Sequence, residues 1–508
     1  MVLEVAPSAP AAERRALAGP YAWIGLAGSA LIAVTAPLWR LSGPTWRLTI
    51  PGVPHNGERP VTAILFVIGT SMLGIAWMGL ISRVERSTRP ERDRMRAVVL
   101  TAMLWFAPLL FGPPLLSSDI YSYAAEGEMA SRGIDPTSSG LSALRYGDYI
   151  ARTDPVWRKT NGNPYGPVQM GAVATVVELS GHDIDLTLWG LRLLAVGSML
   201  ASVWGIAEIA RHFGVSPPVA VAIGIANPIA VLHLVGGAHN DSLLLALLAT
   251  GLALALRGKW PLGVLLMALA TGVKVTAVAA LIYMGWERAG VGAALKKRVK
   301  VISKALACSG VLIAALCLFG RIGLFGWITS MQNAGKTTGT LSLTTRVGYV
   351  ISSLFRLIGL PANDSTWIAI FRLVGLATAA YLCLRLLGLT QRIGVVQCTA
   401  LSMLIVVLLG PVVWPWYLAP AIALLGAGGV GRWRPSLIVL TIAFSFEVFP
   451  VGPNSKPVLE GSHFVSLGFI LLIAILTVSA PFAVEWWREL RARSLTKPEG
   501  QLPFASAD

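Results

Sequence analysis

Twelve stretches of this chain stay apolar for about the length of a bilayer: 20–39, 61–82, 97–116, 186–210, 217–233, 241–257, 301–320, 366–388, 393–410, 412–428, 435–450 and 463–485. A helix crosses about 30 Å of hydrocarbon in roughly 17–25 residues. In that medium each backbone amide must be satisfied within its own segment, so continuous apolar runs become helices. A β-barrel would need alternating strands and is excluded. The fold class is therefore an all-α polytopic membrane protein of about 12 transmembrane helices. Only 13% of the residues are charged, against about a quarter in a soluble domain. The net charge of +16 lies largely in short connections, where it reports orientation and contact with anionic lipid, not nucleic acid. Cys308, Cys317, Cys383 and Cys398 all fall in expected spans and read as small packing residues; no CxxC pair or HExxH motif occurs.

Lys and Arg assign the sides of the membrane, because they gather in cytoplasmic loops. Segment 83–96 holds six arginines and three acids and is expected inside. That places the N-terminal segment 1–19 inside and the stretch after Leu116 outside. Arg211-His212, Arg257, Lys259, Arg385, Arg392, Arg432, Arg434 and the basic 488–493 then fall inside, with 494–508 as a cytoplasmic tail. Arg14-Arg15 precede a first run that reads as a retained helix rather than a cleaved signal. The span-bearing domain is expected over 20–493. One run, 260–286, has cytoplasmic flanks on both sides: Arg257 and Lys259 before it, and Lys296, Lys297, Arg298 and Lys300 after it. A re-entrant hairpin broken near Thr271-Gly272 resolves the conflict, since irregular backbone is tolerated at membrane depth where protein or a polar cavity covers it. Lys274 follows that break. It is a functional lysine by default or a snorkelling one, and the spacing leaves both open.

Two large outer segments differ in sign. Segment 117–185 carries nine of the 25 acids, and 321–365 carries Arg321, Lys336, Arg346 and Arg356 against Asp364. The first, too long for a simple connector, is expected to form helices at Asp119–Ala130 and Val168–Leu179 around a turn-rich middle. Opposite charges facing a membrane cavity suit a reaction between a polar acceptor and an anionic lipid. Asp119 opens the first of these helices, where Ser117 or Ser118 can cap and the positive helix end favours a carboxylate. Tyr123 and Glu126 follow at i+4 and i+7 on one face, and Glu128 points elsewhere. Asp119 is a candidate general base; plain capping is the other reading. Lys336 and Arg346 flank the hydroxyl-rich KTTGTLSLTTR and are candidate phosphate cations, Arg346 the better for its fork of donors; an interfacial arginine reaching for headgroups is the alternative. His239, Asn240 and Asp241 in the turn GGAHND offer sugar-type hydrogen bonds, beyond the one cap a helix start needs. Trp414, Trp416 and Tyr417 begin another span from outside, as belt aromatics or as sugar-stacking rings.

Together SSDIYSYAAEGEMASRGIDP, NPYGP, NPIAVLHLVGGAHNDSLL and WPWYL resemble the actinobacterial polyprenol-phosphomannose-dependent α-1,6-mannosyltransferases. These GT-C glycosyltransferases, MptA/MptB-like, build the mannan backbone of lipomannan and lipoarabinomannan. The resemblance runs over about residues 60 to 485. It departs at WPWYL, where related enzymes often carry a histidine before Pro-Trp-Tyr.

The resemblance implies a GT-C bundle with a large outer catalytic loop after the third span. It implies a polyprenyl-phosphate-mannose donor, inversion at the anomeric carbon, and an α-1,6 link to mannosylated phosphatidylinositol or a lipomannan precursor. The active site would lie on the outer face of the plasma membrane, with no metal and no cofactor. The family's catalytic base falls on Asp119, and Tyr165 of NPYGP joins the expected substrate contacts. Two other classes compete: a polytopic lipid flippase or transporter, against which no internal repeat is evident, and a GT-C enzyme with a different acceptor.

Overall fold

A computed structural model of the chain describes residues 19–38, 59–158, 162–330, 342–448 and 475, and the regular elements among them are helices. Helices α1 (Pro20–Leu38), α2 (Arg59–Arg86) and α3 (Glu91–Phe111) pack together first. Where α1 crosses α2, Gly28 meets Gly69, and a Cβ on Gly28 would lie 2.6 Å from the Gly69 carbonyl oxygen. Lipid is as apolar as leucine, so helices in it are held by such close backbone approach rather than by hydrophobic burial. Helix α3 contains Pro108 and stops at Gly112. Its terminal carbonyls find one partner: Arg192 Nη1 donates to Leu110 O at 2.8 Å and to Gly112 O at 2.6 Å.

Segment 117–185 folds as a unit with its own apolar core. It contains α4 (Asp119–Ser131), α5 (Asp148–Arg152), α6 (Pro155–Arg158) and α7 (Pro167–Leu179). Ile120, Met129, Met170, Val173 and Val177 are buried together, with Leu188 from the helix that follows. Gly127 lets α4 lie on α7, for a Cβ there would come within 2.8 Å of Val173 O. Both helices expected in this segment are present with nearly the expected bounds.

The chain continues through α8 (Ile184–His212) and α9 (Pro217–Ile225), a π-helical turn (Ala230–Gly236), α10 (Asp241–Leu256), α11 (Trp260–Val273), α12 (Val278–Arg288) and α13 (Leu295–Gly320). The expected straight span 217–233 needs correction: α9 and the π-helical turn are bent by 61°. Asn227-Pro228 interrupts the ladder, and the Asn227 side chain replaces what is lost. Its amide donates to Ile223 O and Gly224 O at 2.9 and 2.8 Å and accepts from Ala230 N at 2.9 Å. Run 260–286 doubles back. Lys274 is extended, with φ −148° and ψ 126°, between α11 and a short 3-10 turn, and Arg288 at the end of α12 lies 5.8 Å from the ring of Trp260 at the start of α11.

The remaining helices are α14 (Gly326–Thr329), α15 (Leu343–Leu357), α16 (Asp364–Leu387), α17 (Thr390–Ile393), α18 (Val395–Leu408), α19 (Pro415–Gly428) and α20 (Arg434–Ser445). Among the described residues five helices are long and apolar enough to cross a membrane, six when the bent pair is taken as one span; several expected spans fall on shorter apolar helices. The expected span 463–485 apart from residue 475, the tail 494–508 and Lys336 lie outside the described residues. Ile206, Leu245, Leu248 and Leu424 belong to the large central core, whereas α13 and α16 are only 17% buried over their most apolar windows. Val311, Leu318, Phe319 and Leu373 project from these two helices, as expected of surfaces that face lipid.

Ion pairs gather the basic loops at one end. Arg211 binds Glu91 at 2.7 Å and also Glu208, Arg257 reaches Glu208 at 2.9 Å, and Arg434 reaches Glu85 at 2.6 Å. The ends of α2, α3, α8, α10 and α20 that the charge rule assigned to one side therefore meet.

Candidate active site

Four pieces of chain converge away from those basic loops: the start of α4, the NPYGP loop, the turn before α10, and the start of α19. Two backbone contacts fasten them. Leu115 N–H donates to Gly236 O at 3.1 Å, and Gly166 N–H to Val273 O at 3.3 Å. The second seats NPYGP on the break at Lys274, and Gly166 has no room for a side chain, since a Cβ would lie 2.3 Å from Gly272 O. Leu116 and Ala238 take left-handed φ values of 63° and 49°. Such conformations are costly for residues with a Cβ, and here they stand just ahead of Asp119 and His239, where the chain turns into the site.

Asp119 is the first residue of α4, and its backbone N–H donates to Ser117 Oγ at 3.1 Å. Its carboxylate is not a cap. Oδ2 lies 3.6 Å from Nδ1 of His239, and the side chain is 16% exposed. Burial raises the Asp119 pKa from 3.8 to about 6, opposed by Ser117 and by the charge of Lys274. Burial, with His233 and Lys274 nearby, holds His239 well below its usual value, so the imidazole is neutral and its contact with Asp119 is not an ion pair. Tyr123 completes this corner: its hydroxyl is 3.3 Å from that of Tyr165 and 3.4 Å from His239 Nδ1. Burial holds both phenols well above their ordinary range.

An aromatic wall faces them. His239 stacks on Trp416 with centroids 3.9 Å apart and planes at 13°, and Trp416 stacks on Trp414 at 5.0 Å and 8°. Lys274 sits between wall and carboxylates. Its ammonium bonds both oxygens of buried Asp241, at 2.8 and 2.7 Å, and lies 4.1 Å from the centre of the Tyr417 ring. Asn240 occupies the cap position of α10 without a capping bond, and both its amide atoms are buried without a partner. Capping therefore explains neither Asn240 nor the Asp241 carboxylate, which serves Lys274.

Ten expected residues meet here: Asp119, Tyr123, Tyr165, His239, Asn240, Asp241, Lys274, Trp414, Trp416 and Tyr417. Glu126 lines a cleft beside Asp119 and Tyr123. Glu128 turns away, to Arg132 and His182. Arg346 lies on the first turn of α15. The preceding Ser342 and Thr344 bond Gly410 O at 2.8 and 3.2 Å, and the charges that act on Arg346 are those of Tyr349 and Glu447. Sequence reasoning missed His233, 5.5 Å from the Trp416 ring, and Asn163, whose carbonyl accepts from Tyr165 N at 2.8 Å. An asparagine before the Pro of NPYGP was a usable turn signal; a histidine inside an apolar run carried none. Among the described residues no group of three or more His, Cys, Asp and Glu side chains converges as a metal cluster would.

Fold and site define a polytopic membrane protein in which a partly sheltered carboxylate, a paired lysine and an aromatic wall share one chamber. A family model described as alpha-(1->6)-mannopyranosyltransferase, N-terminal domain, matches residues 22–290, and one described as MptB C-terminal domain matches 344–491. The chain belongs to the alpha-(1->6)-mannopyranosyltransferase family, a family of glycosyltransferases. It is 33% identical to alpha-(1->6)-mannopyranosyltransferase A of Mycobacterium tuberculosis, over 70% of this chain and 69% of that one. It is 29% identical to alpha-(1->6)-mannopyranosyltransferase B of Corynebacterium glutamicum, over 84% and 74%. No solved structure matches.

Proposed function

We propose that the protein is an inverting α-1,6-mannosyltransferase that moves mannose from polyprenyl-phosphate-mannose to a mannosylated phosphatidylinositol or lipomannan acceptor, on the outer face of the plasma membrane. The observation that carries the reading is Asp119: a carboxylate with a pKa of about 6, open enough to be reached, in a chamber that also holds a lysine. A base must be ionised at the working pH yet basic enough to take a proton, and burial tunes a carboxylate in that direction.

In the proposed step the acceptor's primary hydroxyl approaches Asp119. Its oxygen attacks the anomeric carbon from the face opposite the phosphate. The new C–O bond forms as the bond from that carbon to the phosphate oxygen breaks, and the electron pair leaves with the phosphate. Asp119 takes the hydroxyl proton and later returns it to water. The departing phosphate gains a charge, which Lys274 offsets while it stays paired with Asp241; Arg346 and Lys336 are further phosphate cations in this proposal. Tyr165 and the half-buried Trp414 hold the sugars, and buried His239 and Trp416 stack behind them.

Membranes given labelled phosphomannosyl lipid and short α-1,6-mannosides, with products read by linkage analysis, test it. Extended α-1,6-mannosides support the enzyme. Movement of the lipid between leaflets with no new glycosidic bond would instead favour a flippase. Near-normal turnover by Asp119→Asn would remove the assignment of the base.

A further inference from the structure

Asp119, Tyr123 and Tyr165 also line a cleft that holds polar groups the transfer step does not use. Glu126 is 7% exposed, and its Oε2 is buried without a hydrogen-bond partner. Ser122, one turn earlier, also buries an unpartnered hydroxyl. Asn163 also lines the cleft; its side-chain carbonyl accepts from Tyr165 N–H, and its amide donates to Met170 Sδ at 3.3 Å. The cleft encloses ≈30 Å³, room for about one water or one hydroxyl. Pro136, Ser139 and Trp157, a tryptophan 38% exposed, line it as well. Unsatisfied buried polar atoms are uncommon, and each one beside a cavity points to a missing partner.

We propose that this cleft is the subsite for the acceptor's reacting sugar: one ring hydroxyl enters the floor between Glu126 and Ser122, and the apolar face of the pyranose rests on Trp157. The proposal deepens the function given above and rests on its reading of Asp119 as the base. Size decides the division. The ≈30 Å³ the cleft encloses is too small for a ring and right for a hydroxyl, and the exposed indole is a broad surface for the ring. Asp119 and Glu126 are seven residues apart on one face of α4, so a sugar held by the second presents another hydroxyl to the first. Burial and the neighbouring Asp119 push Glu126 well above the usual carboxylate range. A neutral carboxyl both donates and accepts, as a hydroxyl does, which makes glutamine a fair substitute.

The test uses the full chain in lipid nanodiscs, with labelled polyprenyl-phosphate-mannose and a short α-1,6-mannoside. Glu126→Ala and Trp157→Ala should each raise the acceptor KM by about tenfold or more, a loss equal to one good contact, with donor KM and kcat at saturating acceptor changed less than about twofold. Glu126→Gln should stay close to the parent. The mannoside's affinity is also measured directly, by saturation-transfer NMR on Asp119→Asn, alone and combined with Trp157→Ala. Loss of binding only in the combined variant supports the subsite. An unchanged acceptor KM in Trp157→Ala, or undiminished binding in the combined variant, overturns it and leaves the base assignment standing. Near-normal turnover by Asp119→Asn overturns the base instead. Should Glu126→Ala fail to fold, the Trp157 variants still decide.

Discussion

A carboxylate that takes a proton near neutral pH works best when its pKa lies just below the working pH. For Asp119, raised from 3.8 to about 6, kcat/KM should climb about tenfold per pH unit on the acid side of that value and level off above it. Asp119→Asn should lose about 10²–10⁴-fold in rate, and any residual activity should lack this limb. The same shift has a sign for stability. Between 3.8 and about 6 the folded state keeps a proton that the unfolded chain has released, so stability falls as pH rises through that window and stays lower above it. Asp119→Asn removes the cost and should unfold at a higher temperature than the parent at neutral pH. A lower unfolding temperature would mark the carboxylate as structural. Lys274 predicts the opposite kind of change. Asp241 is 1% exposed and bonded to it through both oxygens, so Lys274→Ala strands a buried charge at a cost of about 3–5 kcal/mol. Lys274→Gln with Asp241→Asn should recover most of that stability, read by thermal unfolding, but not the transfer rate. Recovery of both would show the pair to be a strut without chemistry.

At the scale of the element, the interface between NPYGP and the end of α11 sets where Tyr165 and Lys274 stand. Gly166→Ala would drive a methyl to 2.3 Å from Gly272 O, so the loop must lift. Overpacking of this sort typically costs about 1–3 kcal/mol, and here it should also cut turnover by separating Tyr165 from Tyr123. Gly171→Ala, inside α7 where nothing lies within 4 Å, is the matched control and should leave turnover unchanged and unfolding the same or at a somewhat higher temperature. Equal behaviour of the two variants would refute the argument. These helices were readable beforehand because an apolar run has few alternatives in lipid, and the reversal at Lys274 was readable from lysines and arginines on both flanks. The 61° bend after α9 was not. A span is judged by summed hydrophobicity, and Asn227 costs little in such a sum even as it rewires three backbone bonds. Arg192 escaped for a related reason: one cation in a long apolar helix reads as a blemish, and its service to the α3 carbonyls depends on a partner 80 residues away.

Across the whole molecule the legible part of the site is the part that lies at helix ends. Asp119, His239, Asp241, Lys274 and Trp416 each interrupt or border an apolar run, so the sequence marks them as polar or aromatic residues at depth, and the bundle gathers them. Asn163 and Ser122 were not legible as site residues. Their role depends on how α4 packs on the NPYGP loop, which no local pattern encodes. The Arg211–Glu91, Arg257–Glu208 and Arg434–Glu85 pairs tie the basic loops together; in the proposed orientation, which rests on the charge rule, that end is cytoplasmic and segment 117–185 is on the other face. In a background with Cys308, Cys317, Cys383 and Cys398 replaced by serine or alanine, exposed Ser138 and Thr88 report the two faces separately. Ser138→Cys should react with a membrane-impermeant maleimide on intact cells, and Thr88→Cys only after permeabilisation. The reverse order would put Asp119 on the cytoplasmic side. The acceptor would then have to be sought among cytoplasmic glycolipids, while the chemistry argued for the chamber itself would stand.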